Sequence, residues 1–352
     1  MASASQTSSA TAASTSASSS DLDLDSIYAF AVQLTKDAGQ RLLDGAKARM
    51  AGGGVIDTLE KDSSVDLVTQ ADEDVEAFVK KEITARYPTH GFLGEESYSK
   101  GASRDYLVGG GPTWIVDPLD GTVNYTHLFA MYCVSIGFVV DGKPVIGVIY
   151  APMLNQLFSA CKGKGAFLNE SIPLPLQQNP VVPPLPANAP SGCIFSCEWG
   201  KDRRDFAGGN LSRKVESFVT MATERQGKNG LGGMVHGVRS LGSAAMDLAY
   251  TAAGSFDIWW EGGCWEWDVA AGFAILEEAG GLVTTANPPE SKVGDYSDVA
   301  VEDAHLGGRL YLAIRPAGAS ADGAETARQA QERVAREVWK RVASLDYTRP
   351  GV

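Results

Sequence analysis

Apolar residues recur at spacings of three and four from Ile27 through Phe30, Ala31, Leu34, Ala38 and Leu42, which predicts an amphipathic helix with Ser26 as its candidate cap. The glycine-rich run from Ala51 to Gly54 ends it or follows it as a loop. A second helix is predicted from about Asp72 to Arg86, its apolar face made by Val75, Phe78, Val79 and Ile83, and Tyr87-Pro88 stops it. The period then changes. Trp114 to Asp117 reads as a short strand, and Tyr132 to Val140 pairs with Val145 to Tyr150 across Asp141-Gly142-Lys143-Pro144 as a hairpin. Gln156 to Ala160 adds a strand before the Gly163-Lys164-Gly165 turn, and a proline-broken segment, Ser171 to Pro190, reads as a surface insertion too poor in apolar residues to order itself. Beyond it come a helix near Ser243 to Ala253, a strand at Phe256 to Trp260, a helix from Asp268 to Ala279 capped by Gly280-Gly281, a strand at Leu310 to Ile314 and a closing charged helix from Ala324 to Ala343. Hairpins mixed with alternating strands and helices indicate layered sheets and helices, an α+β or mixed α/β arrangement.

Composition narrows the chemistry. The 352 residues carry a formal net charge of −13 with no long run of Lys or Arg, so the basic footprint that nucleic acid or an anionic membrane requires is missing. An acidic chain still accepts an anionic substrate when metal ions neutralise the site locally. Five scattered cysteines fit reduced thiols in an intracellular protein, and Cys193 and Cys197 read as two thiols of one buried strand. No apolar run approaches the ~18 residues of a membrane span, and the Ser/Ala/Thr-rich residues 1–25 resemble neither a secretion signal nor a transit peptide, so a disordered tail and a cytoplasmic protein are expected.

Three acidic clusters lie far apart in sequence, each at the edge of a predicted element: Gly94-Glu95-Glu96-Ser97, Asp117-Pro118-Leu119-Asp120-Gly121-Thr122 and Trp267-Asp268. Glu95-Glu96 alone reads as an exposed turn, and Asp268 alone as a helix cap. The central cluster resists so plain an explanation. Trp114-Ile115-Val116 should be interior, which delivers Asp117 to the end of a buried strand, where a carboxylate is costly unless paired or metal-bound. Asp120 follows at a distance that lets both carboxylates converge with the Leu119 carbonyl. Oxygen ligands of this kind suit Mg²⁺ rather than Zn²⁺. Gly121-Thr122 then offers unhindered backbone amides to a phosphate.

The run Trp114-Ile115-Val116-Asp117-Pro118-Leu119-Asp120-Gly121-Thr122-Val123-Asn124-Tyr125-Thr126-His127 resembles the central signature of the inositol monophosphatases. Trp267-Asp268-Val269-Ala270-Ala271-Gly272, followed by Glu278-Ala279-Gly280-Gly281, resembles their C-terminal signature. Asp66-Leu67-Val68-Thr69-Gln70-Ala71-Asp72 and Gly94-Glu95-Glu96-Ser97 fit in the same order, and the similarity runs from about Ile27 to beyond Arg315. The resemblance implies an αβαβα sandwich of the inositol monophosphatase/fructose-1,6-bisphosphatase type, forming one catalytic domain over residues 26–346 with the Pro-rich insertion at about 171–190. It implies Mg²⁺-dependent hydrolysis of a phosphate monoester, foremost myo-inositol monophosphate, with two or three ions per site, inhibition by Li⁺ and a homodimer.

Carried over by position, the resemblance gives Glu95, Asp117 and the Leu119 carbonyl to a first ion, and Asp117, Asp120 and Asp268 to a second. Glu95, Thr122 and Asp72 act on the attacking water. Gly121 and Thr122 hold phosphate, Asp120, Ser243, Ala244 and Glu261 face the polyol, and Lys61 steadies a mobile loop. Gly263-Cys264-Trp265-Glu266 departs from animal members, which tend to carry a His there, so an altered pocket rim is expected. The alternatives are a sister phosphatase acting on 3'-phosphoadenosine 5'-phosphate, a sugar phosphate or histidinol phosphate, and a non-catalytic metabolite sensor.

Overall fold

The computed structural model describes residues 22–52, 58–60, 67–101, 105–178, 180–289, 294–347 and 349. Lys61, Asp66 and nearly all of the Ser/Ala/Thr-rich stretch lie outside the described residues.

Two larger sheets alternate with three layers of helix, and a separate antiparallel pair joins Thr58–Glu60 to Leu67–Thr69. The large sheet has seven strands in the order Gly91–Gly94, Thr113–Asp120, Cys133–Val140, Lys143–Ala151, Gln156–Cys161, Ala166–Leu168 and Ile172–Pro173, its first pair parallel and the rest antiparallel. The small sheet has five, in the order Gly237–Arg239, Ile194–Ser196, Ile258–Gly262, Leu310–Ile314 and Leu282–Thr284. Helices Leu24–Met50 and Gln70–Arg86 cover the outer face of the large sheet around Trp114, Val116 and Phe138. Helices Ala244–Ala252 and Glu266–Glu278 fill the space between the sheets. The helix Ala327–Trp339 closes the far face of the small sheet. This is the αβαβα sandwich that the motifs imply.

The period-2 strand pattern decides where the acidic residues go. In Thr113–Asp120, Trp114 and Val116 point to the outer helices while Ile115 points to the middle layer, so Asp117 follows Ile115 inward. The middle helix Glu266–Glu278 lies unusually close to the large sheet. A Cβ at Gly147 would sit 2.1 Å from the Ala271 carbonyl oxygen, so even one methyl there would push the helix, and Asp268 with it, off the sheet.

Several local expectations shift. The first helix starts at Leu24 and is capped by Asp23, whose carboxylate accepts the Ser26 N–H at 3.1 Å, so Ser26 lies inside the first turn. The hairpin turn is the two-residue Asp141-Gly142, both at positive φ, with Lys143 and Pro144 already in the returning strand. Cys193 and Cys197 flank the buried strand Ile194–Ser196, and burial pushes the Cys193 thiol up to about 12.

The Pro-rich segment corrects its expectation outright, since its described part is packed onto the core. Leu174, Leu185 and Ala189 are buried, and Arg315, held by Asp257 at 2.6 Å, donates to the carbonyls of Pro183 and Pro184, each at 3.0 Å. A polyproline chain lacks N–H groups but keeps its carbonyls, so one buried guanidinium orders it without much apolar surface. Among the described residues no helix is long and apolar enough to cross a membrane.

Candidate active site

Three chain segments meet where the large sheet faces the middle helices. Asp117 and Asp120 are three apart, which in a regular strand would put them on opposite faces. Between them the ladder to Cys133–Val140 slips, Asp117 pairing with Ser135 and Asp120 with Cys133. This bulge at Pro118-Leu119, where Pro118 has no N–H to give the ladder, turns both carboxylates to one side. Asp268 arrives from the first turn of helix Glu266–Glu278, where it accepts the Trp265 N–H at 2.6 Å. One carboxylate oxygen from each of Asp117, Asp120 and Asp268 lies within 4.8 Å of the others. Glu95 and the Leu119 backbone line the same cavity of about 430 Å³.

The electrostatics say what this cluster lacks. Burial first, then Glu95, Asp120 and Asp268, hold the Asp117 carboxyl well above the usual carboxylate range. Asp268 is pushed up to about 8 by burial and by Asp120 and Glu95, with Lys201 pulling the other way. Asp120 rises to about 6 through burial although Ser243 Oγ and the Ala245 N–H both donate to it at 2.7 Å. A buried set of mutually repelling oxygen donors fits hard divalent cations, and Mg²⁺ is the cation such a set suits. Asp117, Asp120 and Asp268 form the group that could hold such an ion, and Glu95 and Leu119 line the same cavity.

Thr122 stands beside this cluster at the start of the short helix Thr122–Thr126. Its hydroxyl lies 3.2 Å from Asp72 Oδ1 and 3.1 Å from the Leu119 carbonyl. Asp72, 1% exposed, also closes a capping box on helix Gln70–Arg86 by accepting from the Thr69 N–H at 2.8 Å. Gly121 sits at φ 90°, and a Cβ there would press on the Met131 carbonyl at 2.8 Å. Glycine alone therefore fits this left-handed turn between the strand and the short helix.

The wall formed by Ser243, Ala244 and Glu261 differs from expectation. Ser243 lines it but caps helix Ala244–Ala252 and directs its hydroxyl to Asp120, so it supports a carboxylate instead of presenting a free OH. Ala244 lines the cavity as expected. Glu261 is at the wall, yet both of its oxygens are engaged: by Lys214, by the Gly262 N–H at 2.9 Å and by the Glu198 N–H at 2.8 Å. Cys264 reaches the cavity, whereas Trp265 stacks on Trp267 under Arg309 and Glu266 pairs with Arg349 at 2.5 Å, so these two do not form the rim. Glu198, Trp199, Lys201 and Arg203 also line the cavity, and none of them stood out in the sequence. The signal was present: a charged run directly after the strand Ile194–Ser196 and Cys197, the same strand-then-charge pattern as at Asp117.

The profile of the inositol monophosphatase family matches residues 23–343. The chain is 64% identical over 338 residues to the quinic acid degradation cluster protein x of Neurospora crassa, covering 93% of this chain and 96% of that one. It is 65% identical over 326 residues to protein qutG of Emericella nidulans, again covering 93% and 96%. Inositol monophosphatase 2 of Saccharomyces cerevisiae is 40% identical over 289 residues, covering 82% of this chain and 87% of the relative. Among solved structures, the extragenic suppressor protein suhB of Bartonella henselae superposes with a TM-score of 0.62 at 26% identity, over 90% of this chain and 99% of its own. Sequence, fold and the convergent acidic cavity agree: this chain belongs to the inositol monophosphatase family.

Proposed function

We propose that the protein hydrolyses a phosphate monoester of a hydroxylated ring alcohol in a Mg²⁺-dependent reaction, with myo-inositol monophosphate the reference substrate. The observation that carries this is the convergence of Asp117, buried, with Asp120 and Asp268, partly buried, three carboxylates with raised pKa values beside the Gly121-Thr122 turn. Mg²⁺ held there supplies the positive charge that a phosphate dianion and its leaving oxygen need, and acidifies water.

The protein's own groups handle the proton. The Thr122 hydroxyl has one hydrogen and two acceptors in reach, Asp72 and the Leu119 carbonyl. When that hydrogen points to Asp72, the lone pairs of Oγ1 face the cavity and accept from the attacking water. Asp72 is fixed by its capping bonds and keeps Thr122 in that orientation. The Gly121 and Thr122 amides receive the phosphate oxygens. Inorganic phosphate release from myo-inositol 1-phosphate, with and without Mg²⁺, tests the proposal, and no release from any monoester would refute it.

The N. crassa relative, a quinic acid degradation cluster protein, favours a second choice of alcohol. Quinic acid is a ring polyol that carries a carboxylate, so an ester of an acidic ring polyol stands beside the inositol ester.

A further inference from the structure

We infer that Arg349 is a positioning residue for the acidic site, tying the segment that carries Glu95 to the helix turn that carries Asp268. This rests on the metal-dependent function proposed above and adds to it a side chain that does not line the cavity.

The chain after helix Ala327–Trp339 forms a strap, described from Leu345 to Tyr347 and again at Arg349. Two asparagines fasten it. The Asn287 side chain donates to the Leu345 carbonyl and accepts the Leu345 N–H, and Asn210 does the same for Asp346, all four bonds at 2.8 Å. Tyr347 then backs the cavity wall: a Cβ at Gly263, which lines the cavity, would come within 2.8 Å of its ring. Arg349 follows and is 7% exposed. Its Nη1 donates to Glu266 Oε1 at 2.5 Å, and its Nη2 donates to the Tyr98 hydroxyl at 3.0 Å and to the Asp105 carbonyl at 2.6 Å.

Each of these contacts leads to an acid of the site. Glu266 is the first residue of the helix Glu266–Glu278, in whose first turn Asp268 lies. The Arg349 guanidinium also sits 5.0 Å from the centre of the Trp265 ring, and the Trp265 N–H holds the Asp268 carboxylate at 2.6 Å. Tyr98 belongs to the five-residue helix Glu95–Ser99, which Glu95 opens, and its ring packs on Trp265 and Trp267 with centroids 5.8 and 5.1 Å apart. Glu266 is fully buried, and its Oε2 has no hydrogen-bond partner. Without Arg349 that carboxylate must be protonated or hydrated, and either route disturbs the turn that aims Asp268. The planar fork reaches three acceptors at once, which an ammonium in its place could not. Trp265 and Glu266, the two residues that give the Gly263–Glu266 stretch its unusual sequence, thus receive the strap instead of forming the rim. The family match ends at residue 343, so Tyr347 and Arg349 lie beyond it.

The test measures Mg²⁺ binding to the full-length protein by calorimetry, and phosphate release from myo-inositol 1-phosphate across Mg²⁺ concentrations. Arg349→Met should weaken Mg²⁺ binding by about tenfold or more, the usual worth of a contact that orients a metal's ligands. The Mg²⁺ concentration for half-maximal turnover should rise by the same factor, with little change in the KM for the ester at saturating Mg²⁺. Arg349→Lys, which keeps the charge but not the fork, should fall between Arg349→Met and the wild type. Tyr98→Phe removes one acceptor and no charge; it should shift Mg²⁺ affinity the same way by a smaller factor, and it decides the matter if Arg349→Met does not fold. Arg333→Gln breaks the ion pair with Glu325 on the far helix and controls for stability alone: it should melt lower with its Mg²⁺ affinity intact. Unchanged Mg²⁺ affinity in folded Arg349→Met, or an equal loss in Arg333→Gln, would reduce Arg349 to a brace of the fold and overturn the inference. A wild type that takes up no Mg²⁺ would overturn both the inference and the metal-dependent function. Weakened Mg²⁺ binding in the variants, with no phosphate released by any of these proteins, would strike the phosphatase function and leave the role of Arg349 standing.

Discussion

Two groups of buried carboxylates share one cavity wall or its immediate backing, and they are treated in opposite ways. Glu261, 2% exposed, is met by Lys214, which is itself fully buried; burial would lower the Lys214 pKa, but Glu261 outweighs it and holds the ammonium charged. Glu266 is likewise met by Arg349. Burial raises the pKa of Glu261 and Glu266 while Lys214 and Arg349 pull it back down; Asp117, buried, and Asp120 and Asp268, partly buried, face one another instead, and their mutual repulsion adds to the rise. The paired carboxylates are complete within the chain. The clustered ones form a group of oxygen donors that could hold a metal ion, and that capacity distinguishes a candidate site from a brace.

The sharpest way to break this contrast is Asp117→Asn. Turnover should fall by about 10³-fold or more, because the central ligand loses its charge, while the metal-free variant should melt no lower than the wild type, since one repelling charge is gone. Near-normal turnover at saturating Mg²⁺ would remove Asp117 from the centre of the site. Thr122→Ala should lower kcat by about 10²–10⁴, the worth of a positioned proton transfer. A change confined to KM would show that Thr122 only holds phosphate.

On the paired side, Lys214→Met should destabilise the fold by about 3–5 kcal/mol by stranding Glu261, measured by denaturant unfolding with Mg²⁺ absent. A loss below about 1 kcal/mol would mean that Glu261 is satisfied by its two backbone N–H bonds alone. The smallest effect concerns pH. Carboxyls whose folded pKa exceeds the unfolded value favour the folded state when protonated, so metal-free stability should rise as pH falls from about 8 toward 5 and level off near the unfolded carboxyl pKa of about 4. Asp268, at about 8, and Asp120, at about 6, set that window. Glu277, raised to about 7 by burial, has the same sign but lies outside the cluster, so the part of the slope that saturating Mg²⁺ removes isolates the cluster. Thermal melts at several pH values that show the same slope with and without Mg²⁺ would contradict the assignment.

These contrasts were unevenly legible in the sequence. Asp117 stood out because three buried apolar residues precede it, and the helices of the outer and middle layers followed from spacing alone. Glu198 and Lys201 did not stand out, although the same pattern of buried strand then charge precedes them. The strand there, Ile194–Ser196, is only three residues long, too short for a period to register. The helix Asn210–Ala222 escaped because its buried positions are largely polar: Asn210, Lys214, Ser217 and Thr220. Each of these has a partner, Lys214 with Glu261 among them, and a hydropathy pattern cannot show a partner.

By itself the sequence determined which residues are chemically capable: the acidic clusters, the glycine at the turn before Thr122 and the apolar periods that build the layers. Those properties belong to single residues or to neighbours along the chain. Which acids meet a cation of the chain and which gather into one cluster was decided only by the tertiary structure. Asp117 and Asp268 are 151 residues apart by their numbers, as Lys214 and Glu261 are 47, and nothing local tells the two kinds of encounter apart. The bulge at Pro118-Leu119 and the close approach of Ala271 to Gly147 settle the first, and the docking of helix Asn210–Ala222 settles the second. Burial makes the difference matter, because only where water is excluded must every charge find its counterpart in the fold or in what the fold binds.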